Sequence, residues 1–369
     1  MESLKCLITL IEKIGFDMSI PYHKFGQITI AKVNNSDELK QILIDPWLES
    51  ETIIIKPNWV STAPAAFIDS KTLRTILEVF DSHIVVTESY THSFNRPGEE
   101  MSFIIEDKEV NLEWFLKGDG WNWLIENPDW DWFKKGGFWD QLKKVDKAFL
   151  DEYGFTDLFE EFDVSYINVT DEVWNKNVAN PTEIRRLVEL HFKQVKLDKL
   201  YSMIPKKLYD LRGSTFISFA KLKHYASFTI KNIFGMIPDP LKSWWHGLNG
   251  SRIASSIIDI NKIYHSLFNV YGICEALNAT SFPHQEGKFE DIFMGKYNII
   301  EDLGVVAFGR HLVSLDAILL NLTDQWIRQV EEINRAPIVL AEEEFGSYDR
   351  DILKESKLMV GNWLKTKSN

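Results

Sequence analysis

Cysteine is scarce: Cys6 and Cys274 stand far apart in 369 residues, with no Cys-x-x-Cys pair. That scarcity excludes an iron–sulfur cluster held by four neighbouring thiolates and argues against a disulfide framework. Both thiols are expected to be buried and inert. Long apolar runs are missing as well, since none approaches the ~20 residues of a membrane-spanning helix. The opening stretch MESLKCLITLIEKIGFD has apolar residues at helical spacing, broken by Glu and Lys, and no small-residue cleavage site. It predicts an amphipathic helix rather than a signal peptide. These absences point to a cytoplasmic protein that stays off the membrane. In that setting the Asn-x-Ser/Thr triplets at Asn168, Asn249, Asn278 and Asn321 carry no glycosylation message.

The common cofactor signatures are absent too. No Gly-x-Gly-x-x-Gly follows a strand, and neither Gly-x-x-x-x-Gly-Lys-Ser/Thr, His-Glu-x-x-His nor Gly-x-Ser-x-Gly occurs. An ordinary dinucleotide dehydrogenase, P-loop NTPase, zinc protease or elbow-type hydrolase is thereby excluded. His265, His284, Glu286 and His311 lack metal-ligand spacing, so no metal is expected. No cofactor can be named from the sequence. Positive charge is short overall, with 41 Lys and Arg against 54 Asp and Glu, a formal net charge of -13. Nucleic acid, which demands an extended basic surface, is not an expected partner.

What is present reads as α/β. Apolar residues make up 45% and charged residues 26%, an ordinary globular composition in a chain long enough for two lobes. Residues 52–56, Thr-Ile-Ile-Ile-Lys, form a continuous apolar run stopped by Pro57, as in a strand buried on both faces. Asp69 or Ser70 can cap a helix with Leu73, Ile76, Leu77 and Phe80 on one face. A strand from His83 to Thr87 completes a right-handed βαβ unit. Further strands are expected over 164–169, 215–219 and 303–308. A helix is expected near 204–210, and a long one from Ser314 or Asp316 to about residue 333; residues 182–200 fit neither period well. The predicted architecture is two lobes with mainly parallel sheets and a cleft between them, 1–210 and 211–369. The first lobe carries an insertion at about 96–150 that holds Trp114, Trp121, Trp123, Trp130, Trp132 and Trp139. Those rings either pack the segment on itself or form a platform for a sugar or a lid over the cleft.

One stretch runs against the acidic balance. Between residues 217 and 247 stand Lys221, Lys223, Lys231, Lys242, His224 and His246, opposed by Asp239 alone. A basic island in an acidic chain, beginning where a strand ends, suggests a pocket for a small anion. Lysine offers a compact cation and, when desolvated, a base; histidine gives and takes protons near neutrality. Lys231 is the first candidate anchor and His246 the first acid/base, followed by Lys223 and His224. Asn58 can hydrogen-bond the ligand from a facing strand end. Against this stands the plain reading of Lys221 and Lys223 as solvated loop lysines and His246 as a packed neighbour of Trp244 and Trp245. Asp316 is read as a backbone cap at the start of its helix or as a catalytic carboxylate. The run Thr87-Glu88-Ser89 and His92 follow a strand and either line the cleft or fill a loop.

At these residues the chain resembles the family known as domain of unknown function 362. The likeness is carried by Lys56-Pro57-Asn58, by Lys221-Leu222-Lys223-His224 leading to Lys231-Asn232-Ile233-Phe234-Gly235, and by the later Lys242 and His246. Gly304-Val305-Val306 through Val313-Ser314-Leu315-Asp316-Ala317 completes it. The resemblance spans roughly residues 50–350 and implies that Lys56, Asn58, Asn232 and Asp316 join the lysines at a ligand site. It departs from the family pattern where His224 follows Lys223 directly and precedes Lys231 by only seven residues. The ferredoxin-like cysteine cluster of many relatives is absent, so no electron-transfer role is carried over. More distantly, the ordered Lys and His series looks like the nickel-pincer lactate racemase family. There a lysine anchors the cofactor and histidines exchange the substrate proton. The expected function is an isomerase- or epimerase-like enzyme acting on a small anionic metabolite. A non-catalytic binding or cofactor-maturation protein and a glycan-pathway protein are the alternatives.

Overall fold

The computed structural model describes residues 20–60, 62–90, 102–105, 108–111, 138–196, 198–223, 227–239, 242, 245, 251–280, 298–323 and 337–364. The expected N-terminal amphipathic helix, His92, His224, His246 and five of the six tryptophans of the expected insertion, Trp114, Trp121, Trp123, Trp130 and Trp132, lie outside them. The strands are β1 (Tyr22–Phe25), β2 (Ile28–Lys32), β3 (Thr52–Lys56), β4 (His83–Glu88), β5 (Ser102–Ile105), β6 (Lys108–Asn111) and β7 (Ser165–Asn168). They continue with β8 (Thr215–Lys221), β9 (Asn269–Ala276), β10 (Ala279–Thr280), β11 (Ile299–Ile300) and β12 (Val305–Gly309). Eight of them form one sheet in the order β1-β2-β12-β9-β8-β3-β4-β7, and β5-β6 and β10-β11 are separate ribbons. The run β9-β8-β3-β4-β7 is parallel throughout, whereas β12 is antiparallel to both β9 and β2. Strands from both sides of residue 210 share this sheet, and β3 pairs directly with β8.

The apolar strands follow from their period. Side chains alternate across a strand, so a strand covered on both faces must be apolar at every position. In β3, Ile54 joins one core with Val85 and Phe216, while Ile53 and Ile55 join the other with Ile84, Val86 and Ile217. Each isoleucine buried in this way contributes roughly 1.5–3 kcal/mol. Helices cover both faces. On one side lies α1 (Ser70–Leu77), capped by Asp69 through a 2.7 Å bond from the Thr72 amide and burying Leu73, Ile76 and Leu77. On the other lie α2 (Thr229–Asn232), α3 (Ile253–Leu267), α4 (Leu312–Leu322) and α5 (Pro337–Phe345). The ambiguous stretch after residue 180 forms a helix, Pro181–Glu189, under an Asn180 cap. No described helix is long and apolar enough to cross a membrane.

Candidate functional site

The parallel strands deliver their last residues to one edge of the sheet, where β3 ends at Lys56, β4 at Glu88, β8 at Lys221 and β9 just past Glu275. The carboxyl ends of such strands are the usual ligand position in open α/β sheets. Lys56 is 1% exposed and its Nζ lies 2.5 Å from Glu88 Oε2. The same nitrogen donates to the Pro57 carbonyl at 2.9 Å and to Asn232 Oδ1 at 3.2 Å, which uses all three donors of an ammonium. Burial pushes the Lys56 amine below its ordinary value, and the Glu88 carboxylate opposes that fall. The backbone of Gly235 passes directly over this pair. A Cβ there would stand 2.6 Å from Lys56 Cε and 2.8 Å from Glu88 Oε1, so the approach requires glycine.

Register makes the second pair. Lys221 and Glu275 are direct partners across β8 and β9, and their side chains meet at 2.6 Å in a buried setting. Burial pushes the Glu275 carboxyl up while Lys221 pulls it down. Lys242 is the third: its Nζ meets Ser89 Oγ and stands 3.5 Å from Asp239 Oδ2, and Ser89 in turn donates to the Gly235 carbonyl at 2.8 Å. The sequence showed one acid opposite the basic island. The fold supplies two more, Glu88 and Glu275, from strands remote in the chain.

Lys223 lies just beyond the end of β8 and is 6% exposed. Its Nζ donates to Asn58 Oδ1 and to the Ala66 carbonyl, both at 2.7 Å. Burial first, then the neighbouring charges of Lys231, Lys221 and Lys56, bring this amine down to about 7. Lys231 is half-buried on α2. Asn232 ties the cluster together: its Nδ2 donates to the Lys56 carbonyl at 2.9 Å, and its Oδ1 accepts from Lys56 and, at 3.1 Å, from Asn58. Five lysines thus converge with three carboxylates and two asparagines.

Asp316 holds the helix that presents Lys231 and Asn232. Its carboxylate accepts from the amides of Phe228, Thr229 and Ile230 at 2.8, 2.9 and 3.2 Å, and from Thr229 Oγ1 at 2.6 Å. It caps α2 rather than its own helix, which starts at Leu312 under His311. Burial raises its pKa to about 6. Among the described residues no group of three or more His, Cys, Asp or Glu could hold a metal. Trp139 is packed in the core, its Nε1 donating to Asp171 at 2.7 Å with Lys143 over its ring.

Of the sequence candidates, the structure brings together Lys56, Asn58, Lys221, Lys223, Lys231, Asn232 and Lys242. Asp316 is placed behind them, and His224 and His246 fall outside the described residues. Sequence reasoning missed Glu275; its signal was an acid ending an apolar stretch, Val270 to Cys274, broken by Gly272.

Comparison with known families gives one result. The family model described as Domain of unknown function (DUF362) matches residues 53–321, a span that includes the whole lysine cluster. No curated protein and no solved structure matches. Nothing in these comparisons supports the lactate racemase likeness.

Proposed function

The chain belongs to the family described as Domain of unknown function (DUF362), which names no reaction, and from its buried lysines we propose an enzyme that binds a small anion and moves a proton beside its carboxylate or phosphate. One observation carries this reading: Lys223 is buried at the strand ends with its Nζ 2.7 Å from Asn58 Oδ1, among Lys231, Lys221 and Lys56, a setting that brings its pKa down to about 7. A base is most effective when its pKa lies near the working pH. In that role Lys223 takes a proton from the carbon next to the anionic group. Lys231 and Lys242 attract the anion and stabilise the charge that develops as the proton leaves. His246 and His224 are proposed, from sequence alone, as donors that return a proton on the other side.

A second reading has its own support. Lys223 is crowded by the like charges of Lys231, Lys221 and Lys56, and a bound anion relieves that repulsion whether or not a proton moves. One experiment separates the two. The protein is incubated in deuterated water with a panel of small 2-hydroxy and phosphorylated carboxylates, with thermal stability and proton exchange followed together. The enzyme reading expects stabilisation by one member of the panel, lost in Lys231→Met, and exchange of its α-proton, lost in Lys223→Met or His246→Ala while stabilisation persists. Stabilisation without exchange supports the holding role. Neither effect with any member sinks both readings.

A further inference from the structure

The helical layer over β12 contains a cavity of about 220 Å³, lined in part by Asn261, His265, Arg310, His311, Glu344 and Phe345. It is separate from the lysine edge. β12 is antiparallel to β9, so Gly309, the residue before Arg310, pairs with Gly272 and the chain then runs away from Glu275. The charged groups of the lining already have partners. Arg310 Nε lies 2.9 Å from both oxygens of Asp45, and Glu344 lies 3.0 Å from Lys262.

Two acceptors on α3 have no donor among the described residues, one on the fully buried Asn261 and one on the half-buried His265. Asn261 and His265 stand one helical turn apart on the same face. Asn261 Nδ2 donates to the carbonyls of Ile230 at 2.9 Å and Ile257 at 2.8 Å. Both partners can only accept, so the amide orientation is fixed, and its fully buried Oδ1 has no hydrogen-bond partner among the described residues. His265 Nδ1 lies 2.9 Å from the Asn261 carbonyl, which places the ring proton on Nδ1. Burial brings the imidazole down to about 4, so the ring is neutral near pH 7 and its Nε2 carries a lone pair. Aromatic rings complete the wall: Phe345 lies 4.8 Å from His265 and 5.2 Å from Phe192, centroid to centroid.

Asn261 Oδ1 lies beneath the cavity surface, out of a ligand's reach, whereas Nε2 of the half-buried His265 can take a donor from one. Flat rings on the wall favour a flat ligand, and a cavity of ~150 Å³ already admits benzene. We propose that this cavity binds a small, uncharged, planar molecule bearing N–H donors, such as an aromatic amide. Anions are disfavoured, because the His265 lone pair faces this space while the Arg310 charge is taken by Asp45.

Benzamide and benzoate test this, having the same ring but opposite hydrogen-bonding character. The full-length protein with ¹⁵N-labelled histidine is titrated with each, and the His265 Nε2 resonance is followed. The expected result is a saturable shift with benzamide, none with benzoate, and affinity about tenfold weaker in His265→Phe, which keeps a ring beside Phe345. The absence of a saturable benzamide shift in the parent protein overturns the site. An equal or stronger response to benzoate overturns the ligand class. Both outcomes are read on the parent protein, so they stand even if the variant fails to fold.

Discussion

At the strand ends, Lys56, Lys221, Lys223 and Lys242 each reach protein oxygens; behind α3, Asn261 Oδ1 and His265 Nε2 face no donor among the described residues. Both regions are polar, and all of these residues are buried except the half-buried His265. They differ in saturation. In a saturated cluster every partner lost leaves a charge stranded in low dielectric, so the network is rigid and costly to edit. In an unsaturated one the missing partner is already a cost, and deleting the acceptor removes a liability. If that contrast is right, substitutions in the two regions differ sharply in their effect on stability.

The largest effect is expected at Glu88. Glu88→Gln leaves the Lys56 ammonium buried without its counter-charge, and loss of one partner of a buried pair costs roughly 3–5 kcal/mol. Urea unfolding of the variant against the parent measures it. A change below about 1 kcal/mol would mean that Lys56 sheds its proton at little cost and that the pair is weakly coupled. Next comes Lys223. Its amine titrates near 7 when folded and near 10.5 when unfolded, so the folded state favours the neutral form. Stability from this group is fully present above pH 10.5, declines as pH falls towards 7, and is flat below. The parent is therefore expected to gain on Lys223→Met by up to ~1.4 kcal/mol per pH unit between about pH 7 and 10. A pH-independent difference would show an ordinary lysine and remove the base from the proposed reaction. Smaller again is Gly235→Ala, where the new Cβ displaces the end of Lys56 from Glu88. Overpacking of this kind costs roughly 1–3 kcal/mol, and Glu88→Gln should lessen it because the two changes disturb the same contact.

Much of the frame was legible. Thr-Ile-Ile-Ile-Lys announces a strand covered on both faces, and the structure places β3 at those residues. Asp69 announces its cap, and the gathering of lysines after residue 217 does mark the strand ends. What was hidden depends on register. Lys221 meets Glu275 because β8 and β9 pair in parallel at that position, and nothing in a single sequence encodes which strands become neighbours. β9 itself was obscured by Gly272, which reads as a turn signal. Its reason is packing: a Cβ there would come within 2.8 Å of Leu315 Cδ2, so glycine lets α4 lie close on the strand. Asp316 shows the same limit. Its type predicts capping, yet only the fold reveals that the capped helix is α2, 88 residues before it in the chain at Phe228.

The smallest expected effect bears hardest on the comparison. His265→Phe removes a ring whose Nδ1 bonds the Asn261 carbonyl, within a helix whose ladder offers that carbonyl another donor. The Nε2 lone pair, which no described donor meets, disappears with it, and the contact with Phe345 is kept by a ring of similar shape. Gain and loss nearly cancel, so the variant should unfold within about 1 kcal/mol of the parent. Deleting one polar group is then several-fold cheaper at the half-buried His265 than at the buried Glu88. A cost approaching that of Glu88→Gln would mean that His265 Nε2 is bonded in the folded protein through an ordered water or a residue beyond those described. The cavity would then be a completed polar site, and the distinction between a saturated edge and an unsaturated helical layer would fail.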